Sequence, residues 1–183
     1  MSRRLFGLTL ALCAAAALAT AQIAVAGHAH HARHHHRVSA WDKEWLMSSI
    51  EGDRFEIIGG QRAQQSDNAQ IRALGARLKA DHSKSLADAI KLAHKFGIEV
   101  PKAPSPSEQW ELKTVGRFTG LAFDKSYADL EVFDHMQDIQ ESSDEAKMGT
   151  NRQIRKDAKS EIPTLKEHLK LSKAALAAVG GNG

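Results

Sequence analysis

Glu56, His82, His135 and His168 each fall on a different long segment of helical periodicity, at a place on the apolar stripe where Leu or Ala would be expected. A carboxylate or imidazole buried there costs several kcal/mol unless it finds a partner. Four such residues facing one another can share a metal ion, with imidazole nitrogens as ligands and carboxylates balancing charge or orienting the rings. Glu131, one turn before His135, is a fifth candidate. Three histidines with one or two carboxylates suit zinc, copper or a single iron. The metal-free alternative is a set of buried polar pairs, Glu56 with His82 and Glu131 with His168.

Four helices must position these residues. The first is expected over Ser39 to Gln65, with Trp41, Trp45, Ser49, Gly52, Glu56, Gly59 and Ala63 on one face. Its small residues suggest a close helix approach or room beside Glu56. The second starts from Ser66 or Asp67 as cap and ends at Gly97, with His82 interrupting a row of Ile71, Leu74, Leu78, Ala89 and Leu92. The third is capped by Asp124 and carries Tyr127, Ala128, Glu131, Val132, His135 and Ile139 inward. The fourth begins after Met148-Gly149-Thr150 and carries Ile154, Ala158, Leu165, His168 and Leu176, with Pro163 expected to kink it. Trp41, Trp45, Trp110, Phe96 and Phe133 read as core or cap packing. His94 reads as solvated, and Asp81, Asp134 and Asp138 as surface groups or supports for the ligands. Asn68-Ala69-Gln70-Ile71-Arg72 and Asn151-Arg152-Gln153-Ile154-Arg155 form a faint repeat, as two similar hairpins would.

Between Ile98 and Phe123 a proline-rich stretch precedes Ser105-Pro106-Ser107-Glu108, a capping box that opens a short helix. Helix two, roughly 46 Å long at 1.5 Å per residue, can be spanned by this connector. If the connector crosses the full length, the two hairpin turns lie at opposite ends and all four candidate residues fall near mid-height.

Residues 1–26 read as an export signal: Arg3 and Arg4, an apolar run from Leu5 to Ala19, and small residues at Ala24-Val25-Ala26, with Ala19-Thr20-Ala21 a second cleavage option. The run is shorter than the roughly 20 residues of a spanning helix. Cys13, the one cysteine, leaves with the signal, so no disulfide or thiolate ligand is expected in the mature chain. Loss of Arg3 and Arg4 leaves 23 basic against 22 acidic residues, mixed along every helix, which does not mark a nucleic-acid partner. Residues 27–38 form a histidine-rich arm whose His28, His30, His31, His34, His35 and His36 can capture zinc, copper or nickel. Residues 39–179 make one domain, and 180–183 a loose tail. No nucleophile triad, phosphate loop or dinucleotide fingerprint is present.

FEIIGGQRA around Glu56, Asp81-His82, FDKSY followed by Asp134-His135, and IPTLKEHL around His168 resemble a bacterial family of exported domains of unknown function, often called predicted outer membrane proteins. The resemblance covers about Ala40 to Val179. It implies an all-α, ferritin-like four-helix bundle and export, and carries no activity. The chain departs from the ferritin di-iron pattern of Glu-x-x-His on two helices: Lys79 and Leu165 stand three before His82 and His168. The expected function is a periplasmic metal-binding or metal-buffering bundle, non-enzymatic. A metal-free structural or stress-related envelope protein and a metal-dependent redox enzyme are the alternatives. Oligomeric state is open at this level.

Overall fold

The computed structural model describes residues 37–180, and all of them from Val38 on belong to one compact unit. The expected export signal, residues 27–36 of the histidine arm and residues 181–183 lie outside the described residues. Four long helices and one short one account for the described chain, which contains no strand: α1 (Ala40–Ala63), α2 (Ala69–Phe96), α3 (Pro106–Val115), α4 (Gly120–Met148) and α5 (Arg152–Ala178). No helix among the described residues is long and apolar enough to cross a membrane.

α1 packs along α2, and α4 along α5, as two antiparallel hairpins; α1 also meets α4, and α2 meets α5. The hairpins begin alike. Asn68 Oδ1 accepts from Gln70 N (2.9 Å) and Ile71 N (3.3 Å), and Asn151 Oδ1 accepts from Gln153 N (2.9 Å) and Ile154 N (3.3 Å). The repeat in the sequence is thus a repeated N-cap that seats a fully buried isoleucine three residues on.

Tertiary ties put the two turns at opposite ends. Ser66, in the α1–α2 turn, donates to Asp124 Oδ1 near the start of α4 (2.6 Å). At the far end Asp42, in the first turn of α1, accepts from Thr150 N (2.7 Å) and Asn151 N (3.0 Å) in the α4–α5 turn. The connector therefore runs the length of the molecule. Its capping box is formed as expected at Ser105 and Glu108.

Several expectations are corrected. The cap of α2 is Asn68, because Ser66 is engaged by Asp124 and by Asn68 N. α4 starts a turn before Asp124, at Thr119 and the left-handed Gly120 (φ 55°), where glycine carries no Cβ penalty. Trp41, Trp110 and Phe133 are 50%, 62% and 66% exposed; only Trp45 of the tryptophans is buried. Pro163 lies within α5, where the sequence placed it, and is exposed.

Two apolar clusters close the ends of the helices. One joins Ala63, Ile71, Leu74 and Leu78 to Phe123, Tyr127 and Leu176; the other joins Trp45, Leu46, Ile50 and Ala89 to Ile154 and Ala158. Each fully buried Leu or Ile contributes about 1.5–3 kcal/mol of transfer free energy. On every long helix the stretch between the clusters carries the polar residues: 53–56, 82, 131–135 and 168.

Candidate metal centre

His82 on α2, His135 on α4 and His168 on α5 converge in that middle layer, all buried. Their ring centroids are 5.1–5.7 Å apart, and one nitrogen from each lies within 4.8 Å of the others. Each ring is also tied down on one nitrogen. His82 Nδ1 is 2.8 Å from Asp53 Oδ1 on α1. His135 Nδ1 donates to the Glu131 carbonyl one turn earlier (2.8 Å). His168 Nε2 donates to Asp81 Oδ2 on α2 (2.8 Å), and Asp81 is held in turn by Arg77.

These ties fix the tautomers. A carbonyl can only accept, so His135 carries its proton on Nδ1 and presents a bare Nε2. Burial tends to push Asp81 up, but hydrogen bonds from His168 and Arg77 hold its carboxyl below the usual range, so it stays ionised. His168 therefore carries its proton on Nε2 and presents a bare Nδ1. Yet His135 Nε2 and His168 Nδ1 are 3.2 Å apart. That is one lone pair facing another.

A proton between the two rings would relieve the contact only by making a buried imidazolium. Burial opposes this: it pushes His135 down to about 3 and His82 down to about 4, and it lowers His168 as well. A metal ion relieves it directly. Two nitrogens about 2.05 Å from a tetrahedral ion stand about 3.3 Å apart, so the observed separation fits that edge. His82 Nε2, which has no partner within the protein, is the free nitrogen of the third ring.

Glu56 and Glu131 lie against the other edge of His135. Glu56 Oε1 is 3.6 Å and Glu131 Oε2 3.7 Å from its Nδ1. With the half-buried Asp134 they form a nest of three carboxyls beside the Tyr127 hydroxyl. Burial, aided by neighbouring carboxyls, raises Glu56 well above the usual range; burial takes Glu131 to about 8 and Asp134 to about 7. The five bundle residues singled out from sequence are therefore close together but divided: His82 and His168 cluster with His135 on one side of its ring, and the two glutamates lie by its Nδ1 on the other. The arm residues His28 to His36 lie outside the described residues.

Sequence reasoning missed Asp53, while Asp81 takes the supporting position that it allowed for. The imagined pairs Glu56–His82 and Glu131–His168 are replaced by Asp53–His82 and Asp81–His168. Asp53 stands three residues before Glu56, a spacing that puts both on one face of α1. Asp81, adjacent to His82, points about 100° away along the helix surface, which in a bundle aims it at a different neighbouring helix.

A cleft of about 630 Å³ opens beside this layer, and Asp53, Asp81, His82, Asp134, Glu161 and His168 are among its lining residues. Its walls are strongly acidic; Glu161, which accepts from Ser85 Oγ (3.2 Å), is pushed by burial to about 8. The histidine cluster is thus reachable by a small cation from solvent.

No curated protein and no solved structure matches the chain. One family does, over residues 15–175, and on that match the chain belongs to the family described as a domain of unknown function (DUF4142).

Proposed function

We propose that this chain is an exported, periplasmic metal-binding domain with a ferritin-like four-helix bundle fold, in which His82, His135 and His168 hold one transition-metal ion. The observation that carries the reading is the 3.2 Å approach of two bare imidazole nitrogens, each oriented by an acceptor on its opposite nitrogen. Three neutral imidazoles, two of them separated by the length of a tetrahedral edge, favour zinc, with copper and iron as competitors. Asp53 and Asp81 serve as the acceptors that hold ligating histidines in register. The histidine arm would add further imidazoles able to capture metal, and buffering is the role that fits a sequence with no nucleophile or cofactor motif.

The test uses the mature chain with all six arm histidines changed to serine. Zinc should bind at one per chain, and His82→Leu or His168→Leu should abolish tight binding and the accompanying rise in Tm. Uptake below about a tenth of stoichiometry when zinc, copper and iron are each offered would leave the structural, metal-free reading.

One observation favours a second, catalytic reading. Three protein ligands leave a fourth position, and the cleft reaches both His82 and His168. Turnover of peroxide or oxygen by the metal-loaded chain, lost in His168→Leu, would establish it.

A further inference from the structure

Glu56, Glu131 and Asp134 are not needed to explain the histidine cluster. Each of the three histidines already has a hydrogen-bond partner on its outer nitrogen, and none of those partners is a carboxylate of this nest. Within the nest, Glu56 is fully buried, and no hydroxyl, amide or cationic group of the protein reaches either of its oxygens, which meet only the carboxyls of Glu131 and Asp134. Glu131 Oε2 and Asp134 Oδ2 are likewise without donors. Three carboxyls converging with four unsatisfied oxygens is costly in a core unless something positive is shared among them.

The nest also has the geometry of a ligand set. One oxygen each from Glu56 and Asp134 and a nitrogen of His135 lie within 4.8 Å of one another. Glu131 and Asp134 stand three apart on α4, on the face that meets Glu56 of α1, so three donors come from two rigid helices. Because His135 Nδ1 already donates to the Glu131 carbonyl, it turns no lone pair toward this side. That leaves one oxygen each from Glu56 and Asp134, with the Glu131 carboxyl beside Glu56 as a third, and all three are oxygen donors, the preference of a hard cation rather than of zinc or copper. Asp134 lines the cleft, which provides an entry path.

We infer that Glu56, Glu131 and Asp134 form a second cation site, selective for a hard divalent ion of the manganese(II) or magnesium class, separated from the histidine site by the His135 ring. The Tyr127 hydroxyl, one turn before Glu131, is a further oxygen beside the nest. His135 then has two duties. Its Nε2 faces the histidine cluster, and its Nδ1–H lies beside the carboxylates and keeps them apart from that cluster. The site goes beyond the histidine reading and does not depend on it.

Manganese(II) is the probe, since free aqueous ion gives a six-line EPR signal that disappears on binding. The mature chain with serine in place of the arm histidines is first given one equivalent of zinc and then titrated with manganese(II). One manganese per chain should be withheld from the free signal. Glu56→Gln and Asp134→Asn should each weaken manganese binding by at least about tenfold and leave zinc uptake intact, while His82→Leu should do the reverse. Circular dichroism checks that each variant is folded; should Glu56→Gln disturb the core, the half-buried Asp134 provides the second variant. Free manganese signal from the first addition, or undiminished binding in folded Glu56→Gln, overturns the inference, as does loss of both metals in His82→Leu. Manganese binding that depends on Glu56 in a chain that takes up no zinc sustains this site and removes the histidine one.

Discussion

At Asp53 and Asp81, single hydrogen bonds decide what two imidazoles can do. Removing the acceptor frees the ring to rotate or to shift its proton to the nitrogen that should be bare. Asp81→Asn should therefore lower zinc affinity about 10–100-fold without unfolding the chain, measured by competition with a chelating dye. The titrating groups also give the metal-free protein a definite pH profile. Histidines lowered on folding, from 6.5 to about 4 at His82 and about 3 at His135, contribute stability above pH 6.5 that is lost as pH falls through the folded values. Carboxyls raised on folding, from 4.5 to about 8 at Glu131 and from 3.8 to about 7 at Asp134, contribute stability below those starting values that is lost as pH rises. Urea denaturation of metal-free protein should thus show stability falling from pH 4.5 to 8 by the carboxyl effect and falling again below 6.5 by the histidine effect. Glu131→Gln should flatten the alkaline loss and leave the acid one; an unchanged alkaline limb would mean the nest does not hold the proton.

At the scale of the helices, the histidines were legible, Asp81 was legible as a possible support, and Asp53 was not. A polar residue on an apolar stripe stands out because burial there is expensive, and that argument found His82, His135 and His168. α1 offered no such contrast. Glycines and serines dilute its stripe, and its buried set includes Asp42, Asp53, Leu46 and Ile50, off the line drawn through Trp41, Ser49 and Gly52. Caps were misread for a related reason: Ser66, Asn68 and Asp124 are all competent cap residues, and tertiary bonds decide between them. The close approach expected from small residues occurs at one place, where a Cβ on Gly75 would stand 2.6 Å from Ala63 Cβ and 2.7 Å from the Gly60 carbonyl. Gly75→Ala should cost about 1–3 kcal/mol in thermal or urea unfolding, because the clash is with the neighbouring helix and its backbone rather than with a flexible side-chain tip. Asn68→Ala and Asn151→Ala should each cost about 1 kcal/mol. Asp42→Ala should cost more than either, since it strips partners from the Thr150 and Asn151 amides at once.

Across the whole molecule, a layer of ionisable groups separates two apolar clusters, and the fold must tolerate it. The crossing connector makes the layer: by placing the turns at opposite ends it brings positions from four separate helices to one height. Segment lengths allowed that arrangement without requiring it. The energetics were not legible from lengths, because they depend on which partner each buried group finds. His82→Leu alone leaves Asp53, 4% exposed, without the imidazole that faces its Oδ1, so the metal-free protein should lose about 1–3 kcal/mol. Asp53→Leu with His82→Leu removes the pair together and should recover that loss or exceed it, because well-packed apolar residues replace a buried, hydrogen-bonded polar pair at little or no cost. Denaturant unfolding of the two singles and the double measures the coupling as a cycle. Zinc should raise the Tm of the parent and of neither His82 variant. If the double variant is less stable than both singles in the absence of metal, the middle layer is a structural network in its own right, and its arrangement around a cation would no longer be needed to explain why these groups are buried.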